Sequence, residues 1–184
     1  MTYHIIACGA SAANYHGHGL SIGVNDSFKY GHRPNILGIW NHRSKFTQDR
    51  IDTIVKTKPS KFYSDSDSWG KYFPEMIKVK LRSWDGHLYK TPDRLSHAHT
   101  SPFIAMSLAY NLGATKIVLW GADFQTHNTW SKSNPEMQIE LRQYRQFVDA
   151  LRREGVKTYL GAPGSLLESF LTIDNGDEIR KQSA

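Results

Sequence analysis

Apolar residues in this chain gather in short runs, and each run stops at glycine or a polar residue. Residues 3–8 end in Gly9-Ala10-Ser11, residues 20–24 end in Asn25-Asp26, and residues 35–40 end in Asn41-His42. Runs this short, bounded by turn residues, predict buried strands. Residues 61–63 predict another short strand. Residues 76–81 alternate apolar and basic side chains and predict a half-exposed or edge strand. Residues 44–56 carry Phe46, Ile51, Ile54 and Val55 near helical spacing and predict a helix. Residues 64–72 and 83–99 follow neither period and predict irregular chain.

The later half has a plainer pattern. Ser101-Pro102 opens a helix predicted to run to about Asn111, with serine as a cap and proline in the first turn. Residues 117–120 predict a buried strand. Residues 135–153 predict a long amphipathic helix, with Met137, Ile139, Leu141, Tyr144, Phe147, Val148 and Leu151 among its apolar positions. Residues 156–160 predict the next strand and 165–171 a short final helix. Helices alternating with strands argue for parallel strands joined by crossovers. The expected fold class is therefore α/β: a single Rossmann-like domain over residues 1–175, its mostly parallel sheet flanked by helices, with 176–184 as a frayed tail.

The chain has 184 residues, which suits one hydrophobic core. Its single cysteine, Cys8, excludes a disulfide within the chain and a cysteine-rich zinc site, and its apolar surroundings predict a small buried side chain. No run reaches the ~20 apolar residues of a membrane helix, and the first residues lack the charged lead of a signal peptide. A cytoplasmic protein is expected, with no membrane partner. The formal net charge of +6 favours phosphorylated or polyanionic ligands.

Ligands of open α/β sheets bind outside the carboxyl ends of the strands, which directs attention to the residues that close each run. The small-residue turn Gly9-Ala10-Ser11 could offer backbone N–H groups to a phosphate, helped by the positive end of a following helix. It is equally an ordinary βα turn. Asn25 and Asn41 could read a base edge or ribose hydroxyls, or simply form turns. Thr100 and Ser101 could cap their helix and also face a ligand. Gly121 and Asp123 follow the strand at 117–120, where an acid could serve a site or brace the loop. His97 and His99 alternate on an extended segment and could pair on zinc, but no third ligand has a matching spacing, so metal is not expected. One of them, or His127, would serve better as a general base. Asp65-Ser66-Asp67 matches a DxD pattern for a metal-bound diphosphate but sits in a serine-rich stretch that reads as a solvated loop.

Taken together, Cys8-Gly9-Ala10-Ser11, Val24-Asn25, Trp40-Asn41, Thr100-Ser101, LGATKIVLWGADF over 112–124 and Ala162-Pro163-Gly164-Ser165-Leu166-Leu167 form an ordered set. That set resembles the small bacterial sialyltransferases, which use CMP-sialic acid on a Rossmann-like fold. It also resembles a related family that contains hydroxymethylpterin pyrophosphokinases. The first resemblance implies a donor site formed by Gly9, Ser11, Asn25, Asn41, Ser101, Gly121 and Asp123. It also implies metal-independent transfer with a histidine base, for which His127 occupies the matching interval. Where that family is expected to carry an arginine for sialic acid, this chain has His97-Ala98-His99. The chain is also short, which implies an open acceptor side.

The expected function is therefore metal-independent, inverting glycosyl transfer from a nucleotide-sugar to a hydroxyl, with no cofactor beyond the donor. A nucleic acid bearing hydroxymethylated bases is one acceptor that the basic charge suggests. A magnesium-dependent pyrophosphokinase-like phosphotransferase, using Asp65, Asp67 or Asp123, is the alternative. A non-catalytic nucleotide-binding protein is the third reading.

Overall fold

The computed structural model describes residues 1–17, 19–91, 93–124 and 135–174. Seven strands form one sheet in the order β5-β4-β3-β2-β1-β8-β9. These are β1 (Thr2–Ile6), β2 (Leu20–Val24), β3 (Ile36–Gly38), β4 (Lys61–Ser64), β5 (Ile77–Lys78), β8 (Lys116–Trp120) and β9 (Lys157–Leu160). Every pairing in it is parallel. The chain builds outward from β1 to β5, then returns to add β8 and β9 on the other side of β1. Connections therefore leave β1 and β8 in opposite directions, and the strand order reverses between them.

Both faces of the sheet are covered, and strand alternation shows how. Tyr3, Ile5 and Ala7 belong to the large core beneath α2 (Ser101–Asn111) and α3 (Pro135–Arg153), whereas Ile6 between them joins Ala12 and Tyr15 on the opposite face. In β3, Ile36 faces the large core, while Leu37, together with Ile39 just past the strand, packs with Ile51 and Ile54 of α1 (Gln48–Lys56). Helix α2 has every residue from Phe103 to Ala109 buried, so it serves as an internal helix over β1, β2 and β8.

Several expectations are corrected. The helix expected from Ser44 begins at Gln48, because Arg43–Lys45 forms a 3-10 turn and Phe46 is extended, packing edge-on against Trp69 at 5.3 Å. The strand expected over 76–81 divides at Val79, which is buried and donates its N–H to the Ser64 carbonyl at 3.0 Å. Residues 77–78 extend the main sheet. Lys80–Ser83 forms β6, which pairs in parallel with β7 (Arg94–His97) inside the stretch expected to be irregular. With Leu95 as its one apolar residue, β7 has no readable alternation. It is held by α2, whose Ser107 hydroxyl accepts the Ser96 N–H at 2.9 Å. The last expected helix is a 3-10 turn, Leu166–Ser169, opened by a Ser165–Glu168 capping box. Ile139 is exposed, and the buried stripe of α3 runs through Glu140 instead.

Candidate functional site

At the carboxyl ends of β1, β2, β3 and β8, where the strand order reverses, lies a cavity of about 390 Å³. Gly9, Asn25, Asn41, His99, Thr100, Ser101, Gly121 and Asp123 all line it. Cys8, Phe124 and Met137 line it as well. Ala10, Ser11 and His97 do not border the cavity directly, and His127 lies outside the described residues.

The wall formed after β1 and β8 is closed on itself. Gly9 donates its N–H to the Gly121 carbonyl at 2.9 Å. Ser11 gives its N–H to one Asp123 carboxylate oxygen at 2.9 Å and its hydroxyl to the other. The Ser11 hydroxyl oxygen in turn accepts the Gly121 N–H at 2.9 Å. Asp123 is thus the brace between two strand-end turns. The expectation that Gly9 and Ser11 would turn their N–H groups to a phosphate is not met, since protein acceptors occupy both. Ala10 keeps the turn's one N–H with no acceptor among the described residues. Nor does an α-helix follow: Ala10–Asn14 is a 3-10 turn that buries only Ala12, too small an apolar face to hold a longer helix there. A Cβ on Gly9 would lie 2.5 Å from Asp123 Oδ2 and 2.6 Å from the Gly121 carbonyl oxygen, so only glycine fits between them.

The opposite wall is left open to a ligand. Asn25 sits at φ +48°, in the left-handed region that asparagine tolerates. That conformation turns the chain out of β2 and lets the side-chain N–H reach the Ser101 hydroxyl at 3.0 Å. The amide oxygen, Oδ1, is buried and has no hydrogen-bond partner among the described residues. A buried acceptor left unpaired costs about 1–3 kcal/mol, so a donor supplied by a ligand would be favoured there. Helix α2 begins at this point. Pro102 has no N–H, and the Ser101 N–H has no acceptor among the described residues.

The three reactive-residue expectations resolve differently. His99 is exposed at the cavity rim. His97 closes β7 away from it, with Nδ1 2.8 Å from the Ala98 carbonyl oxygen. A carbonyl only accepts, so this nitrogen carries a proton and Nε2 faces the Ser83 hydroxyl at 3.4 Å. Cys8 was expected to be a small buried side chain. It is half-buried on the cavity wall, its thiol directed at the Val24 carbonyl at 3.6 Å, and burial pushes its pKa up to about 11. Of the DxD pair, Asp67 is solvated and meets Lys78 at 2.6 Å. Asp65 is half-buried, one of its oxygens has no partner among the described residues, and burial raises its pKa. Among the described residues, no three His, Cys, Asp or Glu side chains are grouped to hold a metal ion. None of the described helices is long and apolar enough to cross a membrane.

Behind the open wall stands a carboxylate that the sequence reading passed over. Glu140 of α3, fully buried, accepts the His99 N–H at 3.0 Å and the Thr100 hydroxyl at 2.7 Å. The Thr100 oxygen also lies 2.8 Å from the Tyr144 hydroxyl. The signal for it was in the sequence: Met137, Glu140, Tyr144, Phe147 and Leu151 follow helical core spacing, and a carboxylate on such a stripe needs a buried partner.

No protein-family model matches the chain, and no curated protein matches its sequence. Solved structures do. Sialyltransferase CstII from Campylobacter jejuni, in complex with cytidine-5'-monophosphate, superposes with a TM-score of 0.58 at 15% identity, covering 94% of this chain and 85% of that one. CST-II with a trisaccharide acceptor and CMP gives 0.57 at 14%, covering 94% and 86%. The monofunctional alpha-2,3-sialyltransferase Cst-I from Campylobacter jejuni gives 0.58 at 12%, covering 93% and 79%. At these identities the comparison shows a shared α/β fold, in line with the resemblance read from the strand-end motifs.

Proposed function

We propose that the protein is a glycosyltransferase that moves a sugar from a nucleotide-sugar to an acceptor hydroxyl, with the donor held in the strand-end cavity. The observation that carries this reading is the convergence of Asn25, Asn41, Thr100 and Ser101 on one cavity at the switch point, with Asn25 Oδ1 awaiting a donor. The fold shared with sialyltransferases, some of them bound to CMP, supports it. A base or ribose would donate to Asn25 Oδ1. The Ser101 N–H, which has no acceptor among the described residues, lies on the cavity wall and would serve a phosphate oxygen. His99, at the rim, would take the acceptor proton as the acceptor oxygen bonds to the anomeric carbon. The bond from that carbon to the phosphate oxygen breaks, its electrons leave with the nucleotide, and the configuration inverts.

The test is a thermal-shift panel of CMP, UMP, UDP, GDP, ADP and ATP, with and without magnesium. A ligand at a hundred times its Kd adds about 2.7 kcal/mol, a readable shift. A magnesium-independent shift with a mono- or diphosphate is expected. A shift with ATP and magnesium alone would replace this reading with phosphoryl transfer, and no shift at all would sink it. The matching donor is then offered with small glycan acceptors and with hydroxylated DNA. Binding without any donor consumption would identify a nucleotide-binding protein instead of an enzyme.

A further inference from the structure

Glu140 is the one fully buried carboxylate among the described residues, and no lysine or arginine pairs with it there. Removing a carboxylate from water without a cation is costly, and it persists only where hydrogen bonds hold it. Its two hydrogen-bond partners among the described residues, His99 and Thr100, are consecutive residues leading into α2. Thr100 stands at the N-cap of that helix in extended conformation, yet its hydroxyl makes no capping bond. The hydroxyl is turned away from its own helix toward Glu140 and Tyr144. Helix α3 therefore holds the two residues that lead into α2. The residue next to Thr100 is Ser101, whose hydroxyl accepts from Asn25 across the cavity.

We propose that Glu140 is a positioning residue of the nucleotide site, acting through Thr100. By fixing the His99–Thr100 peptide and drawing the Thr100 side chain toward α3, it sets the rotation of the first turn of α2. That rotation places Ser101 against Asn25 and leaves Asn25 Oδ1 and the Ser101 N–H facing the ligand. This rests on the cavity being the nucleotide site, and it gives α3 a part in recognition although Glu140 is not among the cavity's lining residues.

Two readouts test it in the intact chain. The first is affinity for CMP, or for whichever nucleotide the panel selects, in E140L, E140Q, T100V and the E140L/T100V double variant. E140L removes both acceptor oxygens and should weaken binding at least tenfold. E140Q keeps an oxygen for the His99 N–H and offers an N–H to the Thr100 oxygen, which can then donate to Tyr144. It should bind within about threefold of the parent. If Glu140 acts through Thr100, adding T100V to E140L should cost little more than E140L alone. The second readout needs no ligand: the side-chain amide resonance of Asn25 in a 15N-labelled sample. It should move in E140L and stay in place in E140Q. A lower melting temperature for E140L, with unchanged nucleotide affinity and an unmoved Asn25 resonance, would reduce Glu140 to a packing element and overturn the proposal. Equal losses in E140Q and E140L would overturn its hydrogen-bond basis. A parent chain that binds no nucleotide would end the functional reading, while the Asn25 resonance would still decide the role of Glu140.

Discussion

Along one wall of the cavity, Gly9, Ser11 and Gly121 all give their N–H groups to protein acceptors, with Asp123 and the Ser11 hydroxyl at the centre. Along the other, Asn25 holds Ser101 with one end of its amide and leaves the other end buried, unpaired among the described residues. The first wall is complete without a ligand and the second is not. Rigidity and recognition are thus divided between two sides of one crevice: the β1/β8 turns fix its shape, and the β2/α2 side supplies the groups that a ligand can complete. Substitutions on the first wall should therefore act on stability, and substitutions on the second on binding.

The largest effect should come from the closed wall. In Gly9→Ala the new methyl would press on the Gly121 backbone, which cannot give way as a flexible side chain would. A loss of about 3 kcal/mol is expected, read as a fall in the midpoint of urea unfolding. Asp123→Ala leaves the Ser11 N–H and hydroxyl without their acceptor and should cost about 2 kcal/mol. If either variant kept its stability but lost nucleotide binding, the division between the walls would be wrong, and Asp123 would belong to the ligand.

The sequence disclosed the two walls unequally. Runs stopping at Gly9, Asn25, Asn41 and Gly121 located the strand ends because a parallel strand buried on both faces is a continuous apolar run. Helix α3 was legible from its first residue to its last because nineteen residues of amphipathic pattern average out local noise. Strand β7 was not legible, since its order comes from a hydrogen bond to Ser107 on another element rather than from its own residues. The inward turn of Asp123 was equally hidden, because pairing with Ser11 spans 112 positions. Glu140 is a different case. Its spacing was visible, but only the apolar positions of the helix were read, so Ile139, which is exposed, was named and Glu140, which is buried, was not.

On the open wall, the sharper test is Asn25→Gly. Glycine accepts φ +48° without strain, so the backbone turn is kept and only the amide is lost. Nucleotide affinity should fall about tenfold, the worth of roughly one hydrogen bond of 1.4 kcal/mol, while the unfolding midpoint changes little. Asn25→Ala should show the same loss of affinity plus a stability cost of about 1–2 kcal/mol from the left-handed backbone. Equal affinity in the parent and Asn25→Gly would mean that the unpaired oxygen is not a ligand contact.

Cys8 lies between the walls and gives the smallest effect. Its thiol titrates at about 11, raised by burial from the ordinary 9.0, so at pH 8 the folded chain holds about a hundredfold less thiolate than an exposed cysteine would. Alkylation should be slower than in urea-unfolded chain by at least that factor, and slower still with nucleotide in the cavity. The sign for stability follows from the same shift. The folded state binds this proton more tightly than the unfolded one, so the contribution is whole below about pH 9 and is lost as pH rises toward 11. Cys8→Ala should flatten that part of the stability profile without abolishing it, because burial also raises Tyr3, Tyr15, Tyr63 and Tyr144. Alkylation of the folded chain as fast as that of the unfolded chain would mean that the crevice opens between its walls, and that the closed β1/β8 side does not by itself keep its shape.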